Sequence, residues 1–187
     1  MSIGILGSGW LTTEAYGSDN LNQKVEYASR TTVRGLGKED GLFVYPVKNF
    51  GRFPEVAQRI CYVTALALKD AGIEYSKDWK QNTGLLGTDE YGCEQANFSY
   101  FRDYVEGGRT MARANLFIYT LPSSPLAEAA VHFGLQGPLF YLRNQDASIE
   151  SLLATAKRMI AEGQAEMMLV YELGSELDRC YVIGSAE

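Results

Sequence analysis

Few residues in this chain could do chemistry. There is one histidine, His132, and three cysteines, Cys61, Cys93 and Cys180, lie far apart with no Cys-x-x-Cys pair. An odd count at this spacing argues against a zinc site or a disulfide framework, and free thiols fit a reducing compartment. A nucleophilic thiol needs a base beside it or an electropositive setting that favours the thiolate. Cys93 follows Gly92 in a polar stretch with no motif nearby to supply a base, while Cys61 and Cys180 fall in apolar segments and read as packing residues. His132 lies within a helical pattern and reads as a half-buried helix residue rather than a base.

Other short patterns are weak on their own. Gly7-Ser8-Gly9 lacks the third glycine of a dinucleotide fingerprint, and Gly35-Leu36-Gly37 is no stronger. Ser123-Ser124 lacks the Gly-x-Ser-x-Gly context of a hydrolase elbow, and Ser124 reads as a helix cap. Asp146 precedes a strong helical pattern, which suits an N-cap or a ligand contact; its neighbour Gln145 suits a strand-to-helix turn. The chain has 12 Tyr and 8 Phe, and Phe98, Phe101 and Tyr104 cluster on one predicted helix. They read as core packing, or as the wall of a pocket or interface.

The elements that position these residues follow from periodicity. Ser2 to Leu6 predicts a buried strand closed by a tight loop at Gly7-Ser8-Gly9. Residues 12 to 50 read as mostly loop, with a short strand near Leu42–Tyr45. A helix is predicted from Pro54 to Ala71, with Val56, Ile60, Val63 and Ala67 on one face and Gly72 just past its end. Thr83–Leu86 reads as a strand closed by Gly87, and Glu94 to Glu106 as a helix. Leu116–Leu121 is an apolar run ending at Pro122. A helix then runs from Pro125 to Phe133, followed by a strand at Leu139–Leu142. The clearest helix spans Ala147 to Glu162, with Ile149, Leu152, Leu153, Ala156 and Ile160 as its stripe. Strands at Met167–Tyr171 and Cys180–Ile183 complete the chain, whose close after Ile183-Gly184 is expected to be a natural end. This alternation implies one α/β domain over residues 1–187, with a mixed, mostly parallel sheet and helices on both faces.

Composition limits the function classes. Of 187 residues, 46% are apolar, enough for one continuous core, and the net charge is −6. A nucleic-acid binder would show a basic face, and no Lys/Arg cluster exists in the sequence. The same reasoning disfavours an anionic membrane surface, and an acidic carrier protein unless folding assembles a local basic patch. No apolar run approaches the roughly 18–20 residues that span a bilayer. The N-terminus, MSIGILGSGW, has no signal-peptide form, so a cytoplasmic location is expected.

Four segments, in order, resemble the β-ketoacyl synthase branch of the thiolase-like fold. They are Ile3-Gly4-Ile5-Leu6-Gly7, residues 52–73 ending in Asp70-Ala71-Gly72-Ile73, Phe133-Gly134-Leu135-Gln136-Gly137-Pro138, and residues 156–166. The resemblance covers about residues 1–175, the N-terminal half of such a synthase, and implies a thiolase-like half-fold. It also implies a nucleophilic cysteine soon after the Gly-Pro pair, at the start of a buried helix. Counting without gaps from both flanks puts Asp146 there, whereas the helix stripe favours Gln145; neither is a thiol. The two histidines expected of the family belong to its C-terminal half.

The resemblance therefore implies a ketosynthase-like subunit without the condensing nucleophile, of the chain-length-factor kind, in fatty-acid or polyketide-type biosynthesis. Two further readings are a malonyl-thioester decarboxylase using Gln145, since glutamine at this position occurs in decarboxylating members, and a module that binds an acyl ligand. No cofactor or metal is implied. A lone half exposes the face its other half would cover, at about 25 cal/mol per Å² of apolar area left wet. A homodimer, or a heterodimer with a full-length ketosynthase, is expected on that ground, with an acyl thioester as a possible ligand.

Overall fold

The computed structural model describes residues 2–27, 41–76, 78–89, 92–110, 112–142 and 148–186. Seven strands form one sheet: β1 (Ile3–Thr12), β2 (Ala15–Ser18), β3 (Gln23–Glu26), β4 (Thr83–Asp89), β5 (Leu139–Tyr141), β6 (Met167–Leu173) and β7 (Leu177–Ser185). Their order is β3-β2-β1-β7-β6-β4-β5. The helices are α1 (Glu55–Asp70), α2 (Glu94–Glu106), α3 (Ala114–Phe117), α4 (Ser124–Phe133) and α5 (Ile149–Ala161). The α/β class and the mixed sheet are as expected, but the sheet is not mostly parallel. Only β4 runs parallel to its neighbours β5 and β6; the pairings among β3, β2, β1, β7 and β6 are antiparallel. Three of these four pairings are hairpins, β1–β2, β2–β3 and β6–β7, and a tight turn joins only antiparallel strands.

Strand β6 shows how the layers form. Its residues alternate between two cores: Leu169, Tyr171 and Leu173 face the cluster built with α1 and α4, and Met168 and Val170 face the cluster built with α5. A strand buried on both faces reads as an unbroken apolar run, as Met167–Tyr171 does.

Helix α1 is the centre of the larger core. Residues Ile60 to Leu68 are buried all round the helix, more than the predicted one-sided stripe. Its close seat on the sheet explains an error in the sequence reading. Gly7-Ser8-Gly9 is not a loop but the middle of the ten-residue strand β1, beside an irregularity in register between Ile5 and Gly7. A Cβ at Gly9 would lie 2.6 Å from the Ala67 backbone nitrogen, and one at Gly7 2.5 Å from that of Ala71. These glycines admit a helix, not a turn.

Polar groups lock the same helix in place. The buried Asp70 carboxylate accepts hydrogen bonds from the backbone N–H of Ser8 at 2.8 Å, Asn20 at 3.2 Å and Leu21 at 2.8 Å. Arg59 pairs with the buried Asp178 and donates to the Gly174 carbonyl at 2.8 Å, tying α1 to the β6–β7 turn. Thr64 and Tyr171 hydroxyls meet at 2.8 Å inside the core.

Other boundaries also differ. Leu42–Tyr45 is irregular rather than a strand, because its aromatic residues pack as a plug: Phe43 stacks edge-on against Tyr62, and Tyr45 against Tyr75. The predicted loop region instead supplies β2 and β3. Strand β4 runs through Gly87 to Asp89. The 116–121 run forms α3 and a 3₁₀ turn at Ile118–Thr120. Ser124 does not cap α4; its hydroxyl donates back to the Ile118 carbonyl at 2.6 Å. The Phe133–Pro138 motif has a steric basis, since Gly134 has φ +70 and a Cβ at Gly137 would lie 2.5 Å from the Gly84 nitrogen on β4. Gly35 and Gly37 lie outside the described residues.

Candidate functional site

Helix α5 is where the resemblance expects a nucleophile. Asp146 and Gln145 lie outside the described residues. The observed N-cap is Ser148, whose hydroxyl accepts from the Ser151 N–H at 3.3 Å, so the capping role read for Asp146 belongs to Ser148. A hydrogen bond from its own backbone N–H, then one from Ser148, holds the Glu150 carboxyl below its ordinary value. The helix N-terminus thus has a hydroxyl and a carboxylate on its free N–H groups, the partners its dipole favours.

The cysteines divide by burial. Cys61 and Cys180 are fully buried, and burial pushes both thiols well above their ordinary range, so neither is poised as a thiolate. Cys93 is half-buried at the N-cap of α2. Its thiol donates to the Thr120 carbonyl at 2.8 Å, and Asn97 Nδ2 donates to the sulfur at 3.2 Å. His132 is half-buried within an aromatic group, its ring centroid 4.7 Å from Tyr45 and 4.6 Å from Phe133. The Tyr45 hydroxyl donates to the His132 carbonyl at 2.6 Å, which fits the structural reading of this residue.

Two cavities lie on the outer layer, around α1 and α4. The more apolar one, about 370 Å³, lies between the N-terminal ends of α1, α2 and α4. Its walls include Val56, Ile60, Ala96, Leu116, Pro125 and Leu173, with Cys93 at one side. The other is an open groove of about 550 Å³ lined by Lys48, Arg52 and Lys80 and by Tyr45, Phe53 and His132. Folding therefore does assemble a local basic patch. Sequence reasoning missed it, because Lys80 lies far along the chain from Lys48 and Arg52. Tyr119 lines both cavities, and its hydroxyl donates to Glu128 at 3.0 Å. Burial, then the Glu128 hydrogen bond, raises that phenol above its ordinary value.

The aromatic residues of α2 do not join these walls. Phe98 and Phe101 are 61% and 63% exposed, and Tyr104 is half-buried. α2 turns Gln95, Ala96 and Ser99 toward the apolar cavity instead. The core-packing reading of Phe98 and Phe101 is thus corrected, because α2 lies outside both hydrophobic clusters.

Exposed apolar surface is unevenly placed. The outward face of α5 carries Glu150, Ser151, Lys157 and Arg158 with only alanines between them, so it is not the broad apolar face expected of a lone half. The apolar exposure lies elsewhere, on Phe98 and Phe101, on Phe117 and Leu121, and on Phe140 and Leu142 at the β5 edge. The two sheet edges contrast: β3 exposes Lys24 and Glu26, charges that discourage strand addition, whereas β5 is an apolar edge.

Residues 37–178 match the N-terminal domain of β-ketoacyl synthases. A polyketide β-ketoacyl synthase of Streptomyces virginiae is 27% identical over 139 residues, which are 71% of this chain and 32% of that protein. A β-ketoacyl synthase from Burkholderia phymatum superposes with a TM-score of 0.66 at 15% identity, over 98% of this chain and 59% of the other. A ketosynthase in complex with its chain length factor, from Xenorhabdus doucetiae, gives 0.64 at 7% identity, over 100% of this chain and 80% of the other. The chain spans about a third of the curated relative. Among the described residues no helix is long and apolar enough to cross a membrane.

Proposed function

Since this chain belongs to the β-ketoacyl synthase family through that family's N-terminal domain, we propose that it is a non-catalytic ketosynthase-like subunit, of the chain-length-factor kind, serving polyketide or fatty-acid-type biosynthesis. One observation carries this reading: the segment leading into α5, Arg143 to Ser148, has no cysteine, while the scaffold around it is kept. The Ser148 and Glu150 caps support it, because a helix end already satisfied by a hydroxyl and a carboxylate has little left to stabilise a thiolate. Condensation starts with acyl transfer to sulfur; a carboxylate would give a mixed anhydride that water removes.

In this reading the subunit is cytoplasmic and pairs with itself or with an active ketosynthase, through the exposed β5 edge and the aromatic residues of α2. A strand edge with Phe140 and Leu142 uncovered is a template for pairing. Two measurements test the proposal. Incubation with a malonyl thioester is expected to leave it unchanged by mass spectrometry, and its decarboxylation, lost in Gln145→Ala, would overturn the non-catalytic reading. Light scattering, alone and with a full-length ketosynthase, is expected to show a dimer or a heterodimer; a monomer in both would remove the subunit role.

A further inference from the structure

Helix α2 turns an apolar stripe outward. Its inner face is already used: Ala96 and Ser99 line the apolar cavity, and Tyr100 packs on Phe117 with ring centroids 5.5 Å apart. Phe98, Phe101 and Val105 stand on the outer face, all exposed. They recur at i, i+3 and i+7, the spacing of a helix–helix seam. We propose that this seam is filled by the α2 of a second copy of the chain, packed antiparallel about a two-fold axis. The inference rests on the reading that the chain associates, and it names the partner and the register.

The charges on the helix set the register. With Phe98 of each copy opposite the partner's Val105, the axis passes between Phe101 and Arg102. Glu94, in the first turn of α2, then lies beside the partner's Arg109. Arg109 follows the helix, and its N–H donates to the Tyr104 carbonyl at 2.9 Å, which holds it against the helix end. Among the described residues neither Glu94 nor Arg109 has an ion-pair partner within its own chain. The Arg102 guanidinium lies 5.9 Å from the Phe98 ring centroid. In the pair it also comes beside the partner's Phe101, so the cation meets aromatic rings from both copies. Each contact occurs twice, as a two-fold interface requires. A parallel pair would oppose Glu94 to the partner's Glu94 and Arg102 to the partner's Arg102, and would align the two helix dipoles. An antiparallel pair shifted by one turn would bury Glu94 against the partner's Val105 and leave Arg109 alone. The 13-residue helix gives a seam about 20 Å long. Phe117, exposed and stacked on Tyr100, adds apolar surface next to it.

Light scattering over a concentration series on the intact chain tests the seam. The wild type is expected to dimerise. All the substituted positions are exposed, so each variant should keep a native circular dichroism spectrum. Phe98→Ser and Phe101→Ser, at the centre of the seam, should each raise the dissociation constant about thirtyfold or more. Glu94→Arg and Arg109→Glu each set like charges together twice per dimer and should raise it about tenfold, less so in high salt. The double variant E94R/R109E exchanges the two charges and should recover wild-type affinity, as should a mixture of the two single variants. Cross-linking reads the direction. In a Cys93→Ser background, Phe98→Cys/Val105→Cys should form an intermolecular disulfide under mild oxidation, and Phe98→Cys alone should not. A cross-link in Phe98→Cys alone, or an E94R/R109E dimer as weak as the single variants, would overturn the register. A wild-type dimer that Phe98→Ser and Phe101→Ser leave unchanged, or a chain that dimerises only with a ketosynthase, would overturn the α2 seam while leaving the subunit reading standing. A monomer both alone and with a ketosynthase would remove the two together.

Discussion

The Cys93 thiol donates to the carbonyl oxygen of Thr120, 2.8 Å away, and so joins the start of α2 to the turn that follows α3. This sulfur is the most accessible of the three and lines the apolar cavity. With a disulfide-exchange reagent in native buffer, one thiol is expected to react, and Cys93→Ser should abolish that phase. Cys61 and Cys180 should react only on unfolding, since both are buried and their thiolates disfavoured. Three equally fast thiols would contradict the packing described above.

The close seat of α1 on β1 sets a second expectation. Gly9→Ala would place a methyl group 2.6 Å from the Ala67 backbone nitrogen and the Val63 carbonyl oxygen. Backbone cannot give way as a side chain can, so the cost is expected at about 2–3 kcal/mol, read as a lower urea midpoint. Gly4→Ala, with open space around it, is the matched control and should change little.

Asp70 makes a polar counterpart. Asp70→Ala leaves the N–H groups of Ser8, Asn20 and Leu21 without their shared acceptor. Part of this region stays near solvent, so the loss is expected at about 2–4 kcal/mol rather than the full sum for three buried donors. Asp70→Asn keeps one carbonyl oxygen and should lose about half as much. Urea unfolding of the two variants checks the order.

At the sheet edge, Phe140→Lys introduces a charge where β5 is otherwise apolar. Edge charges oppose strand pairing. If the chain self-associates through β5, light scattering should show this variant shifted toward monomer by about tenfold or more in dissociation constant, while Val25→Lys on the opposite edge leaves it unchanged.

Alkaline titration follows from the buried acids. Burial raises the Cys61 and Cys180 thiols above their ordinary value of 9.0 and the Tyr171 phenol above 10.0. A raised folded-state pKa gives stability that is fully present below the unfolded value and is lost as pH rises through it. Stability is therefore expected to hold to about pH 9 and then fall by about 1.4 kcal/mol per pH unit for each group, thiols first and Tyr171 above pH 10. Cys180→Ala should flatten the first part of the decline.

The sequence alone determined the four longer helices and the family. Apolar spacing with a glycine at the end marks α1 and α5 to within two residues, because apolar residues recur at the helical period in both, although α1 is buried all round. Gly134 and Gly137 were legible as a motif because a left-handed turn and a close strand crossing tolerate little else. The absence of a thiol before α5 was equally plain. Strand direction was not, since β-strands of either sense share one period, and here three hairpins decided most of it. Gly7-Ser8-Gly9 misled for a related reason: glycine marks a turn or a close approach, and only the position of Ala67 and Ala71 tells which. The cation groove needed the fold as well, because Lys48, Arg52 and Lys80 have no pattern in the chain and acquire a common field only when the layers bring them to one cleft beside Tyr119.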